Sequence, residues 1–285
     1  TMDTPRIDGR TELIVHLGHP THSFKAPLIY NPYFASAGIN AVVVPLACRA
    51  EQLPALLPAL FAADNVRGAL ITMPLKVAVM GMLDTVSPTA RVAGACNAVR
   101  READGRLVGD MFDGEGFVRG VRRKGLALGG ARALVVGCGG VGSAIAASLA
   151  AAGVATLRLF DLNTSTAQGL RERLAATYPA LRVELANPDP ADMDLVVNAT
   201  PLGMEPGDAL PLDVSRLNAS TFVGEVVMRE RITAFLAAAQ ARGCRVQVGT
   251  DMLFEQIPAY LAFFGLPVTS PERLRELALL DVALR

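Results

Sequence analysis

Short β-branched runs alternate with alanine- and leucine-rich segments along the whole chain. Runs such as residues 12–17 (ELIVHL) and 131–137 (ARALVVG) are typical of buried strands, and the segments between runs are long enough for covering helices. Such alternation favours helices packed on a mostly parallel sheet. We therefore predict an α/β fold.

The alternation falls into two series, with a boundary near residues 114–130. The first series predicts strands over 12–17, 40–46 and 68–73, helices over 27–37 and 51–63, and two short strands within 96–110. The second predicts a six-stranded sheet with strands over 131–137, 156–161, 181–186, 194–200, 221–227 and 244–249. Two helices are expected after it, over 251–264 and 271–284.

The composition favours a small-molecule partner. Lysine plus arginine and aspartate plus glutamate each number 27 without a long run of one sign, which argues against nucleic acid or an anionic membrane as the main partner. The four cysteines are scattered without a CxxC pair, so a reducing compartment is expected. The polar N-terminus lacks the apolar core of a signal peptide, and no apolar stretch is long enough to span a bilayer. We expect a cytoplasmic protein, either a monomer or a homodimer.

A glycine-rich loop, in the segment LVVGCGGVGSAIAASLAAAG, opens the first helix of the second series. Gly137, Gly139 and Gly142 stand in G-x-G-x-x-G spacing, and glycine lets backbone N–H groups approach a pyrophosphate at the positive end of a helix. The preceding strand, the following helix and an acidic residue about 20 positions later indicate a dinucleotide site. The predicted cofactor contacts are Gly137, Gly139, Gly140, Val141, Gly142, Asp161, Asn198, Thr200, Val226 and Gly249.

The acidic residue is Asp161, which closes the next strand, where its carboxylate can accept hydrogen bonds from an adenosine ribose. A carboxylate there repels a 2′-phosphate, and residues 162–164 contain no arginine. We therefore predict NAD as the cofactor, with NADP less favoured. The segment NATPLGM, residues 198–204, ends a later strand at the same carboxyl edge, where cofactor and substrate usually meet.

Lys76 lies within a nearly apolar stretch, GALITMPLKVAVMGML, and is the candidate for proton transfer. Oxidation of a secondary alcohol by a nicotinamide needs a group that takes the hydroxyl proton, and the chain has no Tyr-x-x-x-Lys pair. An apolar setting lowers the pKa of a lysine, whereas a nearby carboxylate raises it and fixes the orientation of the side chain. Asp113, in GDMFDGEGF, is the candidate partner.

Seven ordered blocks together resemble the shikimate/quinate dehydrogenase family. They are GHPTHSFKAPLIYN (18–31), GALITMPLK (68–76), AGACNAV (93–99), GDMFDGEGF (109–117), GCGGVG (137–142), NATPLGM (198–204) and GTDMLFEQ (249–256). The resemblance implies a substrate (catalytic) domain made of residues 1–114 and 250–285, and a dinucleotide-binding Rossmann domain made of residues 115–249. It also implies that Lys76 is the catalytic lysine and Asp113 its partner. Implied substrate contacts are Thr72, Asn97 and Gln256.

Polar positions of the family pattern are apolar in four places of this chain. The two serines that bind the substrate carboxylate are replaced by Phe24 and Ala26, and a tyrosine is replaced by Met228. An asparagine is replaced by Leu70, and an Asn-Thr pair by residues 111–112 (MF). Each lost hydrogen bond costs on the order of 1 to 3 kcal/mol when a buried partner is left unpaired. We therefore expect an altered substrate, with Phe24, Ala26 and Met228 lining its site.

The remaining polar groups predict little further chemistry. His16, His19 and His22 are spaced by three residues, but the first lies in a strand and the second in a loop, so metal binding is not expected. We interpret them as histidines that line the cleft, where one could meet a substrate anion. The basic residues within 119–124 have helical spacing and predict a solvated face. Cys138 is interpreted as a small residue beneath the cofactor.

The leading hypothesis is an NAD(P)-dependent oxidoreductase that interconverts a hydroxyl and a ketone on a small cyclic hydroxy acid, shikimate-like or quinate-like but altered. One alternative is an enzyme similar to methylene-tetrahydrofolate dehydrogenase, against which the Asp113 block and GTDMLFEQ argue. The other is an NAD-binding sensor or regulator with a degenerate substrate site. The altered polar positions favour the sensor, whereas Lys76 and Asp113 argue against it.

Overall fold

The computed structural model describes residues 5–228 and 232–280. Each predicted strand lies within two residues of its predicted bounds. In chain order, the strands and α-helices of the described residues are β1 Glu12–Gly18, α1 Ala26–Ala37, β2 Ala41–Ala47, α2 Leu53–Phe61, β3 Val66–Ile71, β4 Thr85–Val86, α3 Pro88–Ala93, β5 Ala98–Arg101, β6 Leu107–Asp110, α4 Asp113–Arg123, β7 Arg132–Val136, α5 Gly140–Ala151, β8 Thr156–Phe160, α6 Thr164–Thr177, β9 Arg182–Leu185, β10 Leu195–Asn198, β11 Phe222–Glu225, α7 Ala234–Ala241, β12 Arg245–Gln247, α8 Gly249–Glu255, α9 Ile257–Phe263 and α10 Pro271–Leu277.

The chain divides into two compact units. In the first, six strands form a mixed sheet of order β2-β1-β3-β5-β6-β4. Strand β1 pairs in parallel with β2 and β3, and the buried side chains of Ile14 and Leu17 anchor it in the core. Because Leu17 is in register with Ile71, the carboxyl ends of β1 and β3 meet at one edge of the sheet. Gly18 and Thr72 lie at that edge.

In the second unit, six parallel strands have the order β12-β11-β10-β7-β8-β9. Counted within the unit, β9-β8-β7-β10-β11-β12 is the 3-2-1-4-5-6 order of the Rossmann fold. The predicted fold class and the six-stranded sheet are therefore confirmed. The order reverses beside β7, which is the point at which Rossmann folds bind their ligands.

The compact units divide at residues other than the predicted domain bounds. The second unit includes residues 88–94 and 112–256. Helix α3 packs on α5 and α6, and α8 packs on α4, which draws both short segments into the second unit. Close packing of α4 requires glycine, because a Cβ at Gly114 would collide with Ala144 O and a Cβ at Gly116 would lie 2.6 Å from Met252 O.

The C-terminal helices also differ from prediction. A single helix was expected over 251–264, but α8 and α9 are separate, with Gln256 between them. Pro258 has no N–H to continue the hydrogen-bond ladder of α8, and proline is tolerated in the first turn of a new helix. Helix α10 ends at Leu277, and residues 281–284 of the predicted last helix lie outside the described residues. Among the described helices, none combines the length and apolar character needed to cross a membrane.

Candidate functional site

The glycine-rich loop joins β7 to α5 and leaves open space above the first turn of the helix. Gly137 has a φ of 97°, and a Cβ at Gly142 would collide with Gly137 O, so both glycines are needed to close the turn. Gly139 and Gly140 differ, because a Cβ at either would meet nothing within 4 Å. Val141 lies half-buried in the same turn. The space above Gly139 and the positive end of α5 fit a pyrophosphate.

Asp161 follows β8 and lies beside this loop. Its Oδ2 accepts a hydrogen bond from Cys138 N at 2.8 Å, and its Oδ1 accepts one from Asn163 N at 2.8 Å. Each carboxylate oxygen can accept a further hydrogen bond, so the group fits the hydroxyls of a ribose. Leu162, the next residue, is 93% exposed. The loop and Asp161 together therefore fit the dinucleotide predicted from the sequence.

The other predicted cofactor residues lie at the ends of β10 and β11. Asn198 is buried, and its Oδ1 accepts hydrogen bonds from Thr200 N and Thr200 Oγ1 at 3.0 and 2.6 Å. Asn198 Nδ2 donates to Leu202 O at 3.0 Å, so this side chain shapes the turn after β10. Val226 N donates to Asn198 O at 3.1 Å. Gly249 begins α8, and a Cβ there would collide with Val227 O.

Lys76 lies in the first unit, just beyond β3. A turn after the strand places it there, because Leu75 N donates to Thr72 O at 2.9 Å and Cys96 N donates to Lys76 O at 2.9 Å. Its side chain is half-buried, whereas the neighbouring Val77 is largely exposed. The apolar stretch around Lys76 is therefore a strand, a turn and a short 3-10 segment rather than one buried element.

Phe24 and Thr72 approach the same glycine at the carboxyl edge of β1 and β3. A Cβ at Gly18 would collide with Thr72 Cγ2 and lie 2.9 Å from Phe24 Cζ. The ring of Phe24 stacks on the ring of His16, with centroids 4.1 Å apart and planes inclined by 24°. We call His16, Gly18, Phe24 and Thr72 the first-strand cluster. It brings two of the predicted substrate residues together.

His16 was grouped with the cleft histidines that could meet an anion, and the structure corrects this interpretation. The side chain lies in β1, as expected, but its Nδ1 is buried without a hydrogen-bond partner among the described residues. Burial, and then the nearby Lys76 ammonium, lower the pKa of His16 to about 4. The imidazole is therefore neutral near pH 7 and adds no positive charge for an anion. The signal in the sequence that could have indicated this burial is the position of His16 within a predicted strand.

The other predicted substrate residues of the first unit lie near the same edge. Ala26 begins α1 and is half-buried. Asn97 is buried between β3 and β6, since Ile71 N donates to Asn97 O at 2.8 Å and Asn97 N donates to Asp110 O at 3.0 Å. Leu70 is buried within β3 and is in register with His16 of β1.

The second unit holds the remaining predicted site residues. Asp113 is the first residue of α4 and is 7% exposed, while Phe112 occupies the N-cap position. Gln256 follows α8, and its Oε1 is buried without a hydrogen-bond partner among the described residues. Such a group is stabilised when a ligand or a water molecule supplies a donor. Met228 is 43% exposed at the end of the described segment after β11.

The basic residues at the end of α4 are exposed, as predicted, but they also hold α8. Arg123 forms an ion pair with Glu255, and Lys124 Nζ lies 3.0 Å from Asp251 Oδ2. These pairs explain in part why α8 packs with the second unit. Cys138 is buried, and burial followed by the charge of Asp161 raises the pKa of its thiol to about 12. It is therefore a packing residue and not a nucleophile.

Two family models match parts of the chain. The shikimate dehydrogenase substrate binding domain matches residues 17–99, and the ThiF family matches residues 120–176. The first match contains Lys76 and three residues of the first-strand cluster, Gly18, Phe24 and Thr72, and it begins one residue after His16.

Relatives and solved structures match nearly the whole chain. A shikimate dehydrogenase (NADP(+)) from Rubrobacter xylanophilus is 38% identical over 273 residues, which cover 93% of this chain and 94% of that protein. A quinate dehydrogenase from Corynebacterium glutamicum in complex with NAD is 33% identical, with a TM-score of 0.83 over 94% of this chain and 98% of that one. The ligand-free 5-ketofructose reductase of Gluconobacter sp. strain CHM43 is 25% identical, with a TM-score of 0.85 over 95% of this chain and 98% of that one.

These likenesses favour the dehydrogenase hypothesis over both the folate enzyme and the sensor. They cover 93% and 94% of the chain and therefore extend over both compact units. The chain belongs to the shikimate/quinate dehydrogenase family.

Proposed function

We propose that the protein is an NAD(P)-dependent alcohol dehydrogenase that interconverts a ring hydroxyl and a ketone on a small shikimate-like or quinate-like molecule. The observation that carries this proposal is its 38% identity, over 93% of its length, to a shikimate dehydrogenase. The open space above Gly139 and the half-buried Lys76 are the two features of this chain that such a reaction needs.

Each unit is assigned one part of the reaction. The first unit binds the substrate, and the second holds NAD(P) above Gly139 and beside Asp161. When bound, the nicotinamide supplies the hydride acceptor or donor. Lys76 takes the proton of the substrate hydroxyl during oxidation and returns it during reduction. The family resemblance gives Asp113 the role of the partner aspartate, and it gives Thr72, Asn97 and Gln256 the role of polar substrate contacts.

NAD is the preferred cofactor in this proposal. The Asp161 carboxylate repels a 2′-phosphate, and the exposed Leu162 provides no cation to bind one. The similar quinate dehydrogenase from Corynebacterium glutamicum was solved with NAD, whereas the similar Rubrobacter xylanophilus enzyme is named for NADP(+). The measurement is kcat/KM for each cofactor at a saturating alcohol, and a higher value for NADP would overturn the preference.

The substrate is the part of the function that the family leaves most open. The similar proteins are named for a cyclic acid in two cases and for a ketose in the third. Phe24, Ala26 and Met228 stand where the family pattern has polar groups, so the ring bound here differs from shikimate in its polar contacts. The site still keeps Lys76 and Thr72.

The test of the dehydrogenase is direct. Purified protein is mixed with NAD or NADP and a panel of cyclic alcohols that includes shikimate and quinate, and the absorbance of the reduced nicotinamide is followed. Oxidation of at least one ring alcohol is expected. Binding of NAD without oxidation of any alcohol would support the sensor instead.

The remaining expectations concern the setting of the enzyme. All four cysteines are buried as free thiols, which suits a reducing compartment, and we assign the enzyme to the cytoplasm. Its partners are the small molecule and the cofactor rather than nucleic acid. Light scattering after size exclusion would decide between a monomer and a homodimer.

A further inference from the structure

The His16 and Phe24 pair occupies the pocket edge at which the family pattern has a serine. The two rings are nearly parallel, with centroids 4.1 Å apart, so Phe24 covers one face of the imidazole. His16 Nδ1 is buried and has no hydrogen-bond partner among the described residues. A buried polar atom without a partner is uncommon in proteins and is accounted for when a ligand or a water molecule meets it.

The pair is continuous with the proposed reaction site. Phe24 Cζ and Thr72 Cγ2 both lie against Gly18, and Lys76 follows Thr72 after one turn of chain. The Lys76 ammonium is close enough to His16 to lower its pKa. A ring whose hydroxyl reaches Lys76 would therefore lie against the first-strand cluster.

This cluster is poor in groups that bind a carboxylate. Phe24 and Ala26 provide no side-chain donor, His16 is neutral, and Lys76 is engaged in the proton transfer proposed above. His22 and Lys25 are exposed to solvent. Burying a carboxylate without donors or a cation is strongly unfavourable. An uncharged ring avoids that cost, since its hydroxyls can bond to His16 Nδ1 and Thr72 Oγ1 while its apolar face packs on Phe24.

We propose that His16 and Phe24 select an uncharged ring, a polyol or hydroxyketone that lacks a carboxylate, as the substrate of this enzyme. The proposal rests on the dehydrogenase function given above and names its substrate class. His16 binds a substrate hydroxyl through Nδ1, and Phe24 occupies the space in which a carboxylate would be held.

The test compares shikimate with two neutral derivatives of the same ring. Initial rates are measured for shikimate, its methyl ester and its carboxamide, with NAD and with NADP. The neutral forms are expected to exceed shikimate in kcat/KM by about tenfold or more, the effect of one charge-assisted hydrogen bond that the site cannot make. Equal or faster oxidation of shikimate would overturn the selection while leaving the dehydrogenase intact.

Two variants assign the selection to its residues. In the double variant Phe24→Ser with Ala26→Ser, the preference for the neutral forms is expected to fall or reverse. In His16→Leu, KM for the neutral forms should rise about tenfold with little change in kcat, because a binding contact is removed. A fall in melting temperature with unchanged KM would instead show that His16 serves packing alone.

The two proposals can fail separately. If no ring is oxidised with either cofactor, the dehydrogenase proposal fails. Calorimetric titration of the wild-type protein with shikimate and with its methyl ester, in the presence of NAD, then tests the selection of an uncharged ring independently of turnover. Tighter binding of the ester supports it, and equal or tighter binding of shikimate overturns it.

Discussion

The glycine-rich loop after β7 and the first-strand cluster both lie at the carboxyl ends of parallel strands, but they offer a ligand different groups. The loop offers backbone N–H groups and open space above Gly139, which suit recognition of a pyrophosphate by the backbone. The first-strand cluster offers the side chains of His16, Phe24 and Thr72. Backbone recognition allows only glycine at certain positions, whereas side-chain recognition can change with single substitutions. A site built from side chains can therefore change its ligand more easily than a site built from backbone groups.

The prediction with the largest expected effect concerns proton transfer by Lys76. It tests whether the first unit keeps this reaction although Phe24 and Ala26 replace polar side chains. Lys76→Ala should lower kcat by about 10² to 10⁴, the usual contribution of a general acid–base group. Lys25→Ala is the matched control, because Lys25 is an exposed lysine at the start of α1. Steady-state rates of the two variants, measured with the alcohol of the panel that the wild-type protein oxidises fastest, give the change in kcat. An undiminished kcat in Lys76→Ala would remove Lys76 from the proton transfer.

The next test concerns the backbone-based site. Gly139→Ala adds a methyl group that meets no protein atom within 4 Å, so the melting temperature should not change. The methyl would occupy the space of the pyrophosphate, and the Kd for the dinucleotide should rise about tenfold or more through the loss of a charge-assisted hydrogen bond. Gly129→Ala, equally open but outside the loop, is the control. Calorimetric titration with the dinucleotide measures the change, and equal affinities for the two variants would contradict the assignment.

A smaller effect tests whether side chains tune even the cofactor site. Leu162→Arg places a cation beside Asp161, where a 2′-phosphate would lie. The ratio of kcat/KM for NADP to that for NAD should rise by about tenfold. This is the lower end of the free energy expected for a hydrogen bond to a charged group, because solvent weakens such a bond at an exposed position. Leu162→Gln has a similar length without the charge and should leave the ratio near its original value. If both variants shift the ratio equally, charge is not the cause.

The last prediction concerns the neutral state of His16, and it is measured as stability rather than as affinity or rate. Its pKa is about 4 in the folded protein against 6.5 for an unperturbed histidine, so between these values the unfolded chain binds one more proton than the folded chain. Stability should therefore rise with pH across this window and be lost as pH falls toward about 4. In His16→Leu, the unfolding free energy should decline less between about pH 7 and about pH 4.5. Urea unfolding at the two pH values measures it, and identical declines in both proteins would show that His16 is protonated in the folded state.

Most elements of the fold follow from local patterns. The apolar and β-branched runs predicted every strand except β4, because burial leaves a continuous apolar signature. Strand β4 is only two residues long and was missed. The break between α8 and α9 was missed, although Pro258 marks it, because the apolar pattern continues across the proline. The compact units also place 88–94, 112–114 and 250–256 in the second unit, a division that depends on how α3, α4 and α8 pack and that local patterns do not indicate.

The sequence by itself determined the glycine-rich loop, the acidic residue after β8 and the positions of most strands along the chain. These depend on short spacings and on backbone geometry that only certain residues allow. Tertiary structure alone decided that His16 stacks on Phe24, that its Nδ1 is buried without a partner, and that Thr72 approaches the same glycine. Thr72 reaches Gly18 from a different strand, and the burial of His16 changes a pKa that no spacing can predict. The cofactor site can therefore be predicted from the order of residues, whereas the substrate site depends on which side chains the fold brings together.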